Sequence, residues 1–170
     1  MANTQKYKNQ IETWFINRLK DEYPNHIIHK EKVDLIWGGK FEYDAVVREK
    51  ANNRLKAVYC LSCSEYITEG GNPGAGKFQK IRADVLMMVG TNCHKKVLVF
   101  TGNTMFKKVS KEIENGRMPN DIILEYINLK EEKYDLFTLV ASISADAVAE
   151  VTPKSEYKLP KPKYIIINKK

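Results

Sequence analysis

Residues 27–66, IIHKEKVDLIWGGKFEYDAVVREKANNRLKAVYCLSCSEY, decide the fold. Three runs rich in β-branched and aromatic residues follow one another: Ile27 to Trp37, Phe41 to Glu49 and Leu55 to Tyr66. Such residues suit a pleated, half-buried surface. Gly38-Gly39 divides the first two runs and Asn52-Asn53 the last two, and both residue types tolerate the backbone of a tight turn. Short turns make consecutive strands antiparallel neighbours, so the stretch predicts a three-strand meander.

Working outward, residues 4 to 20 predict an amphipathic helix. Tyr7, Ile11, Trp14, Phe15 and Leu19 recur at the spacing of one helical face, and Pro24 lies past its end. Beyond the glycine-rich loop Glu69 to Gly76 the period changes from two to 3.6, and Phe78, Ile81, Val85 and Met88 form a second helical stripe. Val97 to Phe100 is a short apolar run suited to a sheet centre. Asn103 or Thr104 is placed to cap a third helix carrying Phe106, Val109 and Ile113, with Gly116 at its end. Ile122 to Leu129 predicts a further strand, Leu136 to Val151 fits a helix better than a strand, and Tyr164 to Ile167 suits an edge strand. The expected class is α/β: a mixed central sheet, built from the antiparallel meander and further strands, flanked by helices. Residues 1–150 form the expected domain and residues 151–170 a basic Pro/Lys-rich extension.

The chain has 170 residues, 43 % hydrophobic and 29 % charged, which is enough apolar material for a core and too much for disorder. No apolar run approaches the ~20 residues that cross a bilayer. Met1 to Gln10 is polar and lacks the core of a secretory signal. Three cysteines, Cys60, Cys63 and Cys93, are too few for a disulfide framework, so the expectation is a cytoplasmic protein with no membrane partner. The formal net charge of +7 favours a polyanion such as DNA, although a lysine-rich surface alone has the same composition. Six lysines, Lys154, Lys158, Lys161, Lys163, Lys169 and Lys170, against the single acid Glu156 give residues 151–170 a net +5 of that charge.

Asp44 stands mid-strand between apolar neighbours in Phe41-Glu42-Tyr43-Asp44-Ala45-Val46-Val47, where an unpaired carboxylate is costly. Glu42, two residues earlier, shares its face. Glu12 borders the apolar stripe of the first helix and can approach the sheet from above. Converging acids of this kind hold hard cations such as Mg²⁺ or Mn²⁺. The competing reading makes Asp44 a structural acid paired with Arg48, Lys56 or Arg82, and Glu12 a solvated helix residue. Lys77, Gln79, Lys80 and Arg82 open the second helix, where free N–H groups favour phosphate, or else they are the solvated face opposite Phe78, Ile81 and Val85.

With its helix, three-strand meander, helix and strand between Ile11 and Phe100, Asp44 on the second strand, Glu12 on the first helix, and Lys77-Phe78-Gln79-Lys80-Ile81-Arg82-Ala83-Asp84 on the second, the chain resembles the PD-(D/E)XK restriction-endonuclease-like superfamily. The resemblance implies a Mg²⁺- or Mn²⁺-dependent nuclease acting on DNA. Asp44 would be the principal metal ligand with Glu12 assisting, and Lys77 or Lys80 would orient water or phosphate. Gln79, Arg82, Lys154, Lys158, Lys161 and Lys163 would hold the DNA, and a homodimer would serve its two strands. One motif departs. Where the family carries Glu-x-Lys, this chain has Cys60-Leu61-Ser62, and neither thiol nor hydroxyl does the same work. Either Glu65 or Glu69 and Lys77 or Lys80 replace the lost groups, or the domain is a catalytically inactive module that binds DNA or another partner.

Two further motifs compete. Gly71-Asn72-Pro73-Gly74-Ala75-Gly76-Lys77 matches most of a P-loop and suggests a nucleotide binder, but Phe78 stands where a Ser or Thr ligates Mg²⁺. Cys60-x-x-Cys63 and Cys93-His94 have the residue types of a zinc site, but a strand turns residues three apart to opposite faces.

Overall fold

The computed structural model describes residues 4–68, 70–132 and 164–165. Helix α1 (Thr4–Glu22) buries Ile11, Phe15 and Leu19, each one turn from the last. The Tyr23 N–H still donates to the Leu19 carbonyl at 2.8 Å, and Pro24 then ends the helix.

Strands β1 (His26–Asp34), β2 (Lys40–Glu49) and β3 (Leu55–Ser62) form the predicted antiparallel meander. Gly38 and Gly39 turn the chain at φ of 90° and 78°, and Asn53 at 58°. Two strands end earlier than their sequence suggests, because tertiary contacts divert their backbone groups. After Asp34 the Leu35 N–H closes onto the Gly39 carbonyl and the Ile36 N–H onto that of Gly90, so β1 does not reach Trp37. After Ser62 the N–H groups of Tyr66 and Ile67 turn to the Thr104 hydroxyl, so β3 does not reach Tyr66.

Helix α2 (Ala75–Val89), strand β4 (Lys95–Phe100), helix α3 (Asn103–Glu114) and strand β5 (Ile123–Tyr126) follow. β5 is shorter than the run Ile122–Leu129, because Leu129 already opens the single turn α4 (Leu129–Glu132). Strand β6 (Tyr164–Ile165) pairs antiparallel with β5, at the edge expected for Tyr164 onward. The run Leu136–Val151 lies outside the described residues. The six strands among the described residues stand in sequence order, with β3, β4 and β5 parallel and the rest antiparallel. The protein is therefore α/β with a mixed sheet flanked by helices.

Inner-strand residues alternate between two cores. Val58, Cys60, Leu98 and Phe100 pack against Phe78, Ile81 and Val85 of α2 and Met105 and Val109 of α3. Ala57, Tyr59, Leu61, Val97 and Val99 pack against Ile11, Phe15 and Leu19 of α1. Among the described helices, α1 thus covers one face of the sheet and α2 and α3 the other.

Neither Asn103 nor Thr104 supplies a side-chain cap to α3, whose N-cap is Gly102. The Glu65 carboxylate does that work from another loop, accepting the N–H of Asn103 at 3.0 Å and of Thr104 at 2.7 Å.

Candidate functional site

Between the pairs His29↔Val46 and Glu31↔Tyr43, β1 contributes one residue, Lys30, while β2 contributes two, Asp44 and Ala45. This bulge breaks the alternation of β2 and re-aims its side chains. Tyr43 and Val46, three apart, both join the α2/α3 core, whereas Ala45 and Val47 join the α1 core. Asp44 turns to the α1 side as well, where α1 covers it.

There Asp44 meets Glu12. Lys8 lies one turn before Glu12, and its Nζ is 3.0 Å from Glu12 Oε1 and 3.5 Å from Asp44 Oδ1. Asp44 Oδ2 accepts the Leu61 N–H at 2.7 Å. Lys30, opposite the bulge, places its Nζ 3.4 Å from Glu12 Oε2 and 3.6 Å from Glu42 Oε1. The Lys8 ammonium touches both carboxyls, which sets Asp44 and Glu12 side by side beneath it. Their side chains are only 14 % and 10 % exposed, whereas Lys8 and Lys30 are 35 % and 40 % exposed. Two acids therefore sit beneath two cations that solvent can draw aside.

The two acids share this space unequally. Burial pushes the Asp44 carboxyl above its usual range, and the charge of Glu12 adds to the rise against the Leu61 N–H and Lys8. Burial also opposes the Glu12 charge, but the neighbouring Lys8 ammonium, then the Asp44 carboxyl and the charge of Lys30, outweigh it and hold that carboxyl low.

Asp44 is not the structural partner of Arg48, Lys56 or Arg82. Those cations pair with Glu31 at 2.8 Å, Glu49 at 3.1 Å and Glu112 at 2.9 Å. Glu12 is buried rather than solvated. Lys8 and Lys30 escaped the sequence reading. Lys8 was discoverable as the residue four before Glu12, but Lys30 becomes visible only with the strand register.

The β3 substitution also changes identity. Cys60 is buried among α2 and α3 residues on the far side of the sheet, so it does not occupy the place of an acid beside Asp44. On the α1 side β3 presents Leu61 and, just past its end, Cys63. Burial, opposed by a hydrogen bond with Thr101, pushes the Cys63 thiol up to about 12, so it stays protonated and uncharged at neutral pH. The site face of β3 offers neither carboxylate nor ammonium.

The α2 residues expected at the site are not brought to the acid pair. Lys77, Gln79, Lys80 and Arg82 are exposed on a helix packed against the opposite face of the sheet. Lys80 pairs with Asp84 at 2.9 Å, and Arg82 is held by Glu112 over the Phe78 ring, 4.8 Å from its centroid. Glu65 is occupied as the α3 cap. Glu69, Lys154, Lys158, Lys161 and Lys163 lie outside the described residues.

Among the described residues no three His, Cys, Asp or Glu side chains converge as a metal cluster. Asp44 and Glu12 form a two-carboxylate set, and that is chemically sufficient for Mg²⁺, which commonly takes one or two carboxylates and completes its shell with water and substrate phosphate. The cysteines do not gather: Cys60 and Cys63 join opposite cores. The Gly71–Lys77 loop engages its own N–H groups, Gly71 and Asn72 with Thr68 and Gly74 with Tyr66, which leaves those donors turned away from any phosphate. No helix among the described residues is long and apolar enough to cross a membrane. Comparison with family models, with curated proteins and with solved structures finds no match to this chain.

Proposed function

We propose that this protein is a restriction-endonuclease-like DNA-processing domain in which Asp44 and Glu12 hold Mg²⁺ or Mn²⁺ for phosphodiester hydrolysis. One observation carries the reading: a β-bulge sets Asp44 against Glu12 of the covering helix, and among the described residues no arginine neutralises either acid. Keeping two carboxylates in near contact under partial burial works against the charged form of Asp44, a cost expected where an acid pair serves a ligand. The bound cation would supply Lewis-acid stabilisation of charge on the phosphoryl oxygens. The helix–meander–helix–strand order and the net charge of +7 support a phosphodiester substrate. Cutting both strands of a duplex calls for two copies of the site, hence a homodimer on DNA.

The test is incubation of plasmid, branched and single-stranded DNA with Mg²⁺ or Mn²⁺, beside Asp44→Ala and Glu12→Ala. Nicking that needs the cation and falls by about 100-fold or more in both variants supports the proposal. Metal-independent cleavage, or variants as active as the parent, overturns it. Leu61 and Cys63 on the site face of β3 favour a second reading, a nuclease fold that binds DNA without cutting it. Salt-sensitive binding with no nicking by the unaltered protein would establish that instead.

A further inference from the structure

We infer that Lys8 of α1 supplies the positive charge that faces the scissile phosphate, in the place that β3 leaves empty of charge; the inference rests on the proposed nuclease reading. Hydrolysis of a phosphodiester is accelerated by a side-chain cation beside the reacting oxygens, because negative charge grows there as water adds. β3 brings no such group, with Leu61 and Cys63 at the site and Cys60 on the far face. The α2 lysines are also elsewhere, Lys80 being committed to Asp84.

Among the described residues two ammonium groups lie beside the acids, and their geometry distinguishes them. Lys30 reaches Glu12 Oε2 and Glu42, the outer side of the pair, and does not contact Asp44. Among the described residues only Lys8 bridges the two carboxylates, 3.0 Å from Glu12 Oε1 and 3.5 Å from Asp44 Oδ1. An ammonium in that position stands where a cation held by both acids would sit. Were a metal held by both acids, Lys8 would give up that position, and its long, partly exposed side chain would let it reach a neighbouring phosphate oxygen from within the site. Lys8 is then a phosphate-binding residue that also competes with metal in the free protein. These two roles pull in opposite directions on removal of the charge, which gives the inference a signature that a purely structural salt bridge lacks.

The experiment compares the full chain with Lys8→Gln, Lys8→Arg and Lys30→Gln. It measures single-turnover nicking of supercoiled plasmid, Mn²⁺ affinity by electron paramagnetic resonance, and thermal melting to show that each variant is folded. Lys8→Gln is expected to nick about 100-fold more slowly while binding Mn²⁺ severalfold more tightly. Lys8→Arg should restore much of the nicking, and Lys30→Gln should lose less than Lys8→Gln. If the parent nicks DNA and a folded Lys8→Gln keeps its rate within about threefold, Lys8 has no such role. Weaker Mn²⁺ binding by Lys8→Gln also overturns the inference, because the lysine then only positions the acids. A parent protein that neither nicks nor binds Mn²⁺ removes the nuclease reading itself, and the Lys8 assignment with it.

Discussion

Asp44 and Glu12 differ in how protonation couples to folding, and that difference is measurable. The folded-state affinity of Asp44 for a proton is raised above its ordinary value of 3.8 by burial and by Glu12. Its favourable contribution is therefore present below 3.8 and is lost as pH rises through the folded value. At neutral pH the ionised Asp44 weakens the fold. Asp44→Asn, which keeps an oxygen for the Leu61 N–H, should melt higher at pH 7.5, with the gain shrinking toward pH 3. Glu12 has the opposite sign: its carboxyl is held below its ordinary value of 4.5, so its contribution is present above that value and is lost as pH falls through the folded one. Glu12→Gln should melt lower at pH 7.5, with the deficit closing in acid. Calorimetry across pH checks both. A clear loss of stability in Asp44→Asn at pH 7.5 would mark Asp44 as an ordinary structural acid and remove the support that its electrostatic cost lends to function.

The elements are held in place by close approaches that depend on what stands opposite. A Cβ on Gly102, which precedes α3, would lie 2.3 Å from the Ser64 carbonyl oxygen and 2.7 Å from its carbon. Backbone on both sides cannot yield easily, so Gly102→Ala should cost about 1–3 kcal/mol in urea unfolding. A Cβ on Gly90 would meet the Trp37 ring at 2.0 Å, yet Trp37 is 52 % exposed and can swing into solvent. Gly90→Ala should therefore cost clearly less than Gly102→Ala in the same measurement. The loop that crowds Gly102 also carries Glu65. Glu65→Ala strips the N–H groups of Asn103 and Thr104 of their acceptor and should cost about 0.5–2 kcal/mol, the worth of an N-terminal cap. A loss of metal-dependent nicking in that variant without any loss of stability would return Glu65 to the list of site acids.

At the scale of the whole molecule, the charge of +7 is the property most easily tested against a partner. Each neutralised phosphate releases counterion, so affinity for DNA falls as a power of salt concentration. Replacing Lys154, Lys158, Lys161 and Lys163 by glutamine should make that power shallower by up to about 3–4 for duplex DNA, without changing the metal dependence of nicking. Fluorescence anisotropy across a salt series checks it, and an unchanged slope would show that these lysines do not touch the phosphates.

The amphipathic stripe of α1, the meander, the α2 stripe and the apolar β4 were legible in the sequence because each is a local pattern of period 3.6 or 2 with a local turn signal. Asp44 and Glu12 stood out for a similar reason: an acid among apolar neighbours is conspicuous in one dimension. The ends of β1 and β3 were not legible, since Gly90 and Thr104, distant in sequence, decide where their ladders stop. Nor was the extra β2 residue opposite Lys30, because a bulge is a count made across two strands and leaves no mark in either alone. That count sends Asp44 toward α1. The pairing of β3 with its neighbours likewise sends Cys60 away and brings Leu61 and Cys63 to the site. Local pattern settles which residues are apolar, charged or turn-forming, and hence the elements and their order. Which charges meet is settled in three dimensions, where Lys8 and Lys30 join the acids and Lys77 and Lys80 stay on the opposite side, because side-chain convergence depends on register and on the face of the sheet each helix covers.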